Sequence, residues 1–187
     1  MEFKFDVHLN DRDYFDYNKF WMIRSPYGKK QMIKFRVIIS VLFCVVLLVS
    51  LMGGGFTADA LLGTIPYCVV FVLVQLLFNS IFVWTLKGQL KALRKKGKMG
   101  YSPVSCMEFF EDSFREATPE NSSEQRYSAL ERVSVIEGRV IYLHVNNVMA
   151  YLLPYGCFAS EEQYSEFLAF IQTKCERIDS YPSSVLR

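Results

Sequence analysis

Two long apolar runs joined by a short glycine-rich loop constrain this chain more than any other feature of its sequence. The first run covers residues 37–52 and the second covers residues 61–86, and neither contains a charged residue or a histidine. At about 1.5 Å per helical residue the second run spans about 39 Å, which exceeds a hydrocarbon core of about 30 Å. The first run is shorter and needs Phe35 and residues 53–56 to reach across. The pattern predicts a transmembrane hairpin with spans at about 35–55 and 61–86.

Two alternatives to a membrane hairpin follow from the same runs. A buried hairpin in a soluble protein is also apolar, but two uncharged runs only eight residues apart favour the bilayer. The first run followed by Ala58, Asp59 and Ala60 also resembles a secretory signal with its cleavage site. About 35 residues precede that run, more than a signal sequence has before its apolar region, so we expect no cleavage.

Basic residues at both ends of the hairpin predict its orientation. The loop at 53–60 carries one charge, Asp59, whereas Lys and Arg precede the first run and follow the second. Because Lys and Arg resist translocation, both chain ends are expected on the cytoplasmic side and the loop outside. The basic residues expected at the inner membrane interface are Lys29, Lys30, Lys34, Arg36, Lys87, Lys91, Arg94, Lys95, Lys96 and Lys98.

Three polar side chains within the apolar runs are candidates for intramembrane contacts. Gln75 and Asn79 are four residues apart, so they share one face of the second helix, and Ser40 is available on the first. Lipid offers these groups no hydrogen-bond partner. The structural interpretation is hydrogen bonding that holds the hairpin or a dimer together. The functional alternative is a transport or relay site.

Charge is divided unevenly along the chain. Residues 1–98 carry 14 Lys and Arg against 6 Asp and Glu, whereas residues 99–187 carry 7 against 13. Contacts to phosphates need clustered Lys and Arg, so an acidic second half makes nucleic acid an unsuitable partner. Five cysteines without a C-x-x-C pair indicate free, mostly buried thiols in a reducing compartment.

The segments outside the apolar runs predict a small α+β unit. Residues 2–9 alternate as a half-buried strand, and residues 11–25 form a helix that lies along the inner membrane surface or packs against the second half. Residues 119–125 read as a loop, and Ser160 and Gln163 open a C-terminal amphipathic helix with Phe167 and Ile171 inward. The N-terminal strand is expected to join the sheet. The remaining predicted strands are 104–110, 113–118, 126–136, 139–145 and 149–153, with turns at Glu111-Asp112, Glu137-Gly138 and Asn146-Asn147.

The predicted fold class is therefore an α+β membrane protein: a two-helix transmembrane hairpin plus a small cytoplasmic antiparallel β-sheet domain closed by a C-terminal helix. Four segments are expected along the chain. They are an N-terminal strand and juxtamembrane helix (1–34), the hairpin (35–86), a basic juxtamembrane helix or linker (87–101) and the sheet-plus-helix domain (102–187).

Several segments together resemble the bacterial YcxB-like membrane family. They are DYFDYNKF (13–20), SPYGKK before the first run, the two runs themselves, VIYLHVNNVMAYLLPYGCF, and SEEQYSEFLAFI. The resemblance implies a multi-pass protein of the bacterial inner (plasma) membrane and a C-terminal domain similar to a reduced pleckstrin-homology-like fold. It implies no established biochemical role. The family often has a basic residue after the proline that ends the last strand, whereas Tyr155 follows Pro154 here, which argues against a phosphoinositide-type pocket.

Motifs for catalysis, nucleotide binding or metal binding are not found in the sequence. It contains no G-x-S-x-G, Walker A, H-E-x-x-H or G-x-G-x-x-G pattern. The two histidines, His8 and His144, lie on predicted strands and are expected to be ordinary exposed side chains. The alternative is a pair of metal ligands, which requires that the two strands adjoin. We therefore expect no enzymatic activity, no cofactor and no metal.

The expected function is that of a membrane-tethered cytoplasmic interaction module that binds a protein partner, or a second copy, at the inner face of the lipid bilayer. An oligomeric transport or transporter-accessory protein, using Gln75 and Asn79, is the alternative. A weaker alternative is a sensor of anionic lipid that uses the basic residues 87–98. Those charges are also explained by orientation of the hairpin alone.

Overall fold

A computed structural model describes residues 1–54, 57–97, 101–146 and 149–186. Its contacts divide the chain into a hairpin unit, Met22–Gly97, and a globular unit formed by Met1–Trp21 together with Lys98–Arg187. The helices are α1 (Asp11–Arg24), α2 (Pro26–Gly54), α3 (Ala58–Lys95) and α4 (Glu161–Lys174). The strands are β1 (Phe3–His8), β2 (Val104–Phe109), β3 (Ser113–Ala117), β4 (Ser122–Arg126), β5 (Arg132–Ile136), β6 (Val140–His144), β7 (Ala150–Pro154) and β8 (Ile178–Tyr181).

The hairpin unit consists of the two long apolar helices α2 and α3. Stretches of 28 and 35 residues within them, with mean hydropathies of 2.7 and 2.3, are long and apolar enough to cross a membrane. Only 6% of either apolar window is buried, unlike the core helix of a soluble protein. Phe43 of α2 stacks on Phe71 of α3, with ring centroids 4.2 Å apart. The two predicted helices are therefore present, and they pack against each other.

The first sheet of the globular unit joins the two ends of the chain. Its strand order is β1-β2-β3-β4, and neighbouring strands are antiparallel. Phe3 of β1 is paired with Phe109 of β2, and His8 with Val104, so β1 lies along the whole length of β2. The prediction that the N-terminal strand joins the sheet of the second half is confirmed. The hairpin unit is thus inserted between two strands that pair with each other.

The second sheet corrects the prediction of a single antiparallel sheet. Its order is β7-β6-β5-β8, in which β8 is parallel to β5. The predicted strand 126–136 is wrong, because a 3₁₀ turn at Tyr127–Ala129 separates β4 in the first sheet from β5 in the second. The predicted loop 119–125 is also wrong in part, since Thr118 and Asn121 close a tight turn that starts β4.

The predicted turns between strands are present where the structure describes them. Phe110 N–H donates to the Ser113 carbonyl at 2.8 Å across Glu111 and Asp112. Gly138 adopts a φ of +62°, a conformation that suits glycine, in the turn between β5 and β6. The third predicted turn includes Asn147, which lies outside the described residues; β6 ends before it and β7 begins at Ala150.

The main core lies between the two sheets and α4. Phe5, Phe109, Phe114 and Phe167 are at most 2% exposed, and the ring of Phe5 contacts those of Phe109 and Phe167. Ser160 caps α4 by accepting the Gln163 N–H at 3.3 Å, as the sequence predicts. The Gln163 side chain accepts from Ala159 N–H at 2.8 Å, which completes the capping box one residue earlier than usual.

A smaller core lies on the other face of the second sheet, beneath α1. Tyr17 and Phe20 of α1 pack on Ile136, Val140 and Tyr142. This contact explains why β5 and β6 are buried along their whole length, since both faces of the sheet are covered. It also decides between the two interpretations of the N-terminal helix. The buried face of α1 packs against the globular unit.

Replacement of Phe5 by Ala tests whether β1 belongs to the core. We expect Phe5→Ala to lower the free energy of unfolding of the globular unit by about 3–5 kcal/mol, because a buried ring is removed from four aromatic contacts. The measurement is urea unfolding of the full chain in detergent micelles. Asp6→Ala, at the neighbouring exposed position, is the control. Equal losses in the two variants would show that β1 is not part of the core.

Candidate functional site

The polar residues of the hairpin unit are brought together in two contacts between α2 and α3. The Gln75 amide nitrogen donates to the Ser40 hydroxyl oxygen at 3.3 Å. One turn away, the Arg36 guanidinium donates to the Asn79 side-chain oxygen at 3.1 Å. Each predicted amide therefore has a partner on the other helix of the same chain. These contacts explain how two amides are accommodated in an otherwise apolar pair of helices.

Arg36 differs from the other basic residues predicted at the membrane interface. Its guanidinium carbon lies 5.1 Å from the centroid of the Phe78 ring, which is 8% exposed, and its side chain is half-buried. This geometry is a cation–π contact next to a hydrogen bond. Arg36 is therefore held between the helices of the hairpin.

The remaining basic residues line the ends of the helices and are exposed. Lys29, Lys30 and Lys34 lie in the first turns of α2. The last turns of α3 and the residue that follows carry Lys87, Lys91, Arg94, Lys95 and Lys96. Lys98 lies outside the described residues.

The outer face of the first sheet carries a row of alternating charges. Lys4, Glu108, Arg115 and Glu124 face one another across β1, β2, β3 and β4. Lys4 Nζ lies 3.2 Å from Glu108 Oε1, and the Arg115 guanidinium forms an ion pair with the same carboxylate. Hydrogen bonds from Arg115 and Lys4 lower the pKa of Glu108, so its charge persists to lower pH than that of a free glutamate.

An open polar groove of about 670 Å³ adjoins the end of this row. Both signs of charge are present in it, since three carboxylates face one arginine and one lysine. The Lys174 ammonium also lies 5.7 Å from the centroid of the Tyr127 ring. The residues lining the groove are Glu111, Asp112, Ser113, Glu124, Arg126, Tyr127, Ser128, Thr173 and Lys174. Such a groove suits a partner that presents both charges and polar groups.

A buried polar cluster lies beneath α1 and was not predicted from the sequence. His144 is 1% exposed, with Nε2 3.1 Å from the Ser134 hydroxyl oxygen. Burial, assisted by the charge of Arg132, lowers the pKa of His144 to about 3, so the imidazole is neutral at physiological pH. Asp16 of α1 lies 3.6 Å from Arg139, and burial raises the pKa of its carboxyl.

The prediction that both histidines are exposed is therefore wrong for His144 and right for His8. They lie on different sheets, and among the described residues no group of three or more His, Cys, Asp or Glu side chains could hold a metal ion. A strand covered on both faces gives no alternating signal, which is why the burial of His144 was missed.

The cysteines also differ from the prediction of mostly buried thiols. Cys175 is buried, Cys106 and Cys157 are half-buried, and Cys44 and Cys68 are exposed on the apolar helices. All five are free, as predicted. The error has a simple cause: Cys44 and Cys68 lie on exposed faces of the two paired apolar helices.

Comparison with known proteins assigns part of the globular unit to a family. Residues 109–171 match the sequence model of the YcxB-like protein family. The chain contains a YcxB-like domain. The match runs from the end of β2 through most of α4, and it confirms the resemblance for the segments VIYLHVNNVMAYLLPYGCF and SEEQYSEFLAFI. The other segments that carry the resemblance lie outside the matched residues. No curated protein and no solved structure matches the chain significantly.

The family match begins after the hairpin in the sequence, whereas the first strand of the globular unit, β1, precedes the hairpin. Phe3, Phe5 and Val7 of β1 complete the core of the domain although they precede the match by about 100 residues. Most of the lining residues of the polar groove, and His144 with Ser134, lie inside the matched part. The polar groove is thus formed mainly by residues of the YcxB-like match.

The pH dependence of stability tests the buried position of His144. Its pKa in the fold lies below the unfolded value of about 6.5, so the unfolded chain binds the proton first. We expect the free energy of unfolding to fall as the pH falls from about 6.5 to 4.5, and His144→Gln to show a shallower fall. The raised pKa of Asp16 acts in the opposite sense in both proteins, so the difference between them isolates His144.

His8→Gln is the matched control, because His8 is an exposed histidine on β1. It should keep the wild-type slope of unfolding free energy against pH, measured by urea titration in detergent. A His144→Gln slope equal to that of wild type would contradict the buried neutral imidazole.

Proposed function

We propose that this chain is a non-enzymatic interaction module tethered to the bacterial inner membrane. The hairpin unit spans the bilayer, and the globular unit binds a protein partner on the cytoplasmic side. The observation that carries the proposal is the exposed apolar surface of α2 and α3, since apolar helices of this length are stable in water only when covered.

The ends of the two helices support a cytoplasmic location of the globular unit. Exposed basic residues lie in the first turns of α2 and the last turns of α3, where Trp84 is also 77% exposed. Tryptophan and basic side chains are enriched at membrane interfaces, and basic ones at the inner interface. The segment between the two apolar runs, residues 53–60, has one acidic residue, Asp59 in the first turn of α3, and no basic residue.

The arrangement of the globular unit supports a pleckstrin-homology-like domain. Two four-stranded sheets enclose one core, and α4 packs its buried residues Phe167 and Ile171 into it. Scaffolds of two packed sheets present binding surfaces on their outer faces and loops. The charged row and the polar groove occupy such positions in this domain.

The chemistry of the groove supports a protein partner. It holds Glu111, Asp112 and Glu124 beside Arg126 and Lys174, and a surface with both signs of charge matches the mixed rim of a protein interface. An anionic polymer or an anionic membrane surface would be repelled by the three carboxylates.

The transport alternative receives less support from the hairpin unit. Gln75 is bonded to Ser40, and Asn79 to Arg36. Hydrogen bonding between the two helices is enough to explain why these amides are present, so no transported substrate is needed.

A charge reversal in the groove tests the proposed function. Full-length protein in native lipid discs is affinity-purified, and the co-purifying proteins are quantified by mass spectrometry. We expect one stoichiometric protein partner with the wild type, and about tenfold less of it with Glu124→Lys, because reversal of an interface charge adds repulsion to the loss of an attraction.

Glu166→Lys is the control for this experiment. Glu166 is an exposed carboxylate on α4 outside the groove, and its reversal changes the net charge of the chain equally. The partner should remain bound to this variant. A wild-type protein that purifies as a homo-oligomer without any other protein would contradict binding of a separate partner and shift weight to self-association or to the transport alternative.

A further inference from the structure

One face of α2 combines a basic end with an apolar groove. The groove has a volume of about 380 Å³ and is formed by α2 residues that recur every three or four positions. Arg36 and Ser40 line its polar end. Val37, Val41 and Leu48, each about half exposed, line its floor.

The basic end of this groove is oriented toward the first turns of α2. Asn79 accepts one hydrogen bond from the Arg36 guanidinium, which carries five N–H donors. The exposed Lys29 and Lys30 lie in the first turns of α2, about two turns before Arg36 along the helix. Lys30 lies six residues before Arg36, a distance of about 9 Å along the helix. The helical repeat places Lys30 on the same face as Val37 and Val41.

We propose that this groove binds one anionic phospholipid of the inner leaflet. Its phosphate lies at Arg36, and one acyl chain lies along Val37, Val41 and Leu48. The inference rests on the proposed function, in which α2 crosses the membrane. Arginine matches phosphate oxygens with paired N–H donors, and Lys30 supplies a second charge.

The dimensions and charges of the groove favour a lipid over a second copy of the hairpin. Arg36 and Leu48 are twelve residues apart, which is about 18 Å of helix and close to one leaflet of a hydrocarbon core of about 30 Å. A second hairpin would leave the Arg36 charge without a counter-charge, because neither apolar run contains Asp or Glu. A phospholipid supplies both the anion and the apolar chain.

Native mass spectrometry of the full-length protein tests the lipid site. The detergent contains equal amounts of phosphatidylglycerol and phosphatidylcholine. We expect the wild type to retain one phosphatidylglycerol in preference to phosphatidylcholine. Retention should fall about tenfold in Arg36→Gln, which removes the charge, and in Cys44→Trp, which fills the groove.

Two control variants should retain phosphatidylglycerol as the wild type does. Lys95→Gln removes an exposed charge from the end of α3, and Cys68→Trp enlarges an exposed thiol on α3 that does not line the groove. The proposal is overturned by equal retention of both lipids in the wild type, or by unchanged retention in Arg36→Gln and Cys44→Trp. A dimer that dissociates in Cys44→Trp would overturn it in favour of a second copy of the chain.

Alkaline extraction of membranes separates this inference from the proposed function. Wild-type protein that stays in the membrane pellet but shows no preference for phosphatidylglycerol refutes the lipid site alone. Wild-type protein that is released into the supernatant refutes the membrane anchor, and the lipid site with it.

Discussion

The pairing of β1 with β2 is the constraint on which the rest of the structure depends. These strands are continuous partners from Phe3 and Phe109 to His8 and Val104, and together they hold Phe5 and Met107 in the main core. The two apolar helices lie between them in the chain, so the hairpin leaves the domain and returns to it. A paired β1 and β2 must lie on one side of a bilayer. With two apolar helices between them, either both helices cross or neither does. The strand pairing and the charges flanking the helices thus favour the same topology by independent physical arguments.

The insertion also explains how polar groups are distributed between the two units. The hairpin unit satisfies its amides internally, through Ser40 with Gln75 and Arg36 with Asn79. The globular unit buries His144 beneath α1, the helix that connects β1 to the hairpin, and α1 itself buries Asp16. The outer face of its first sheet and the adjoining groove carry accessible charges instead. The described residues thus present a polar surface on the globular unit and an apolar surface on the hairpin unit, which the proposed function assigns to a protein partner and to lipid.

The sequence predicts the elements that have strong periodicity and misses those that lack it. The apolar runs, the alternation of Phe3, Phe5 and Val7, and the capping of α4 all carry local signals, and the structure confirms the elements that they predict. Strand β4 has the sequence SSEQR, in which inward and outward residues are equally polar, so no alternation is visible. Strand β8 is four residues long and pairs in parallel with a distant strand, which no local pattern encodes. The contact between Arg36 and Asn79 depends on how two helices pack, and it was missed for the same reason.

Cysteine labelling on both sides of the membrane is the first test of the topology. It asks whether the hairpin unit crosses the bilayer while the whole globular unit stays in the cytoplasm. Thr57→Cys places a thiol in the loop between the helices, and Ser128→Cys places one in the polar groove. Each variant is treated with a membrane-impermeant maleimide in spheroplasts and after lysis, with wild-type protein as the background for the five native thiols. We expect labelling of Thr57→Cys above background in intact spheroplasts and of Ser128→Cys only after lysis. Labelling of both variants in intact spheroplasts, or of neither until lysis, would contradict this topology.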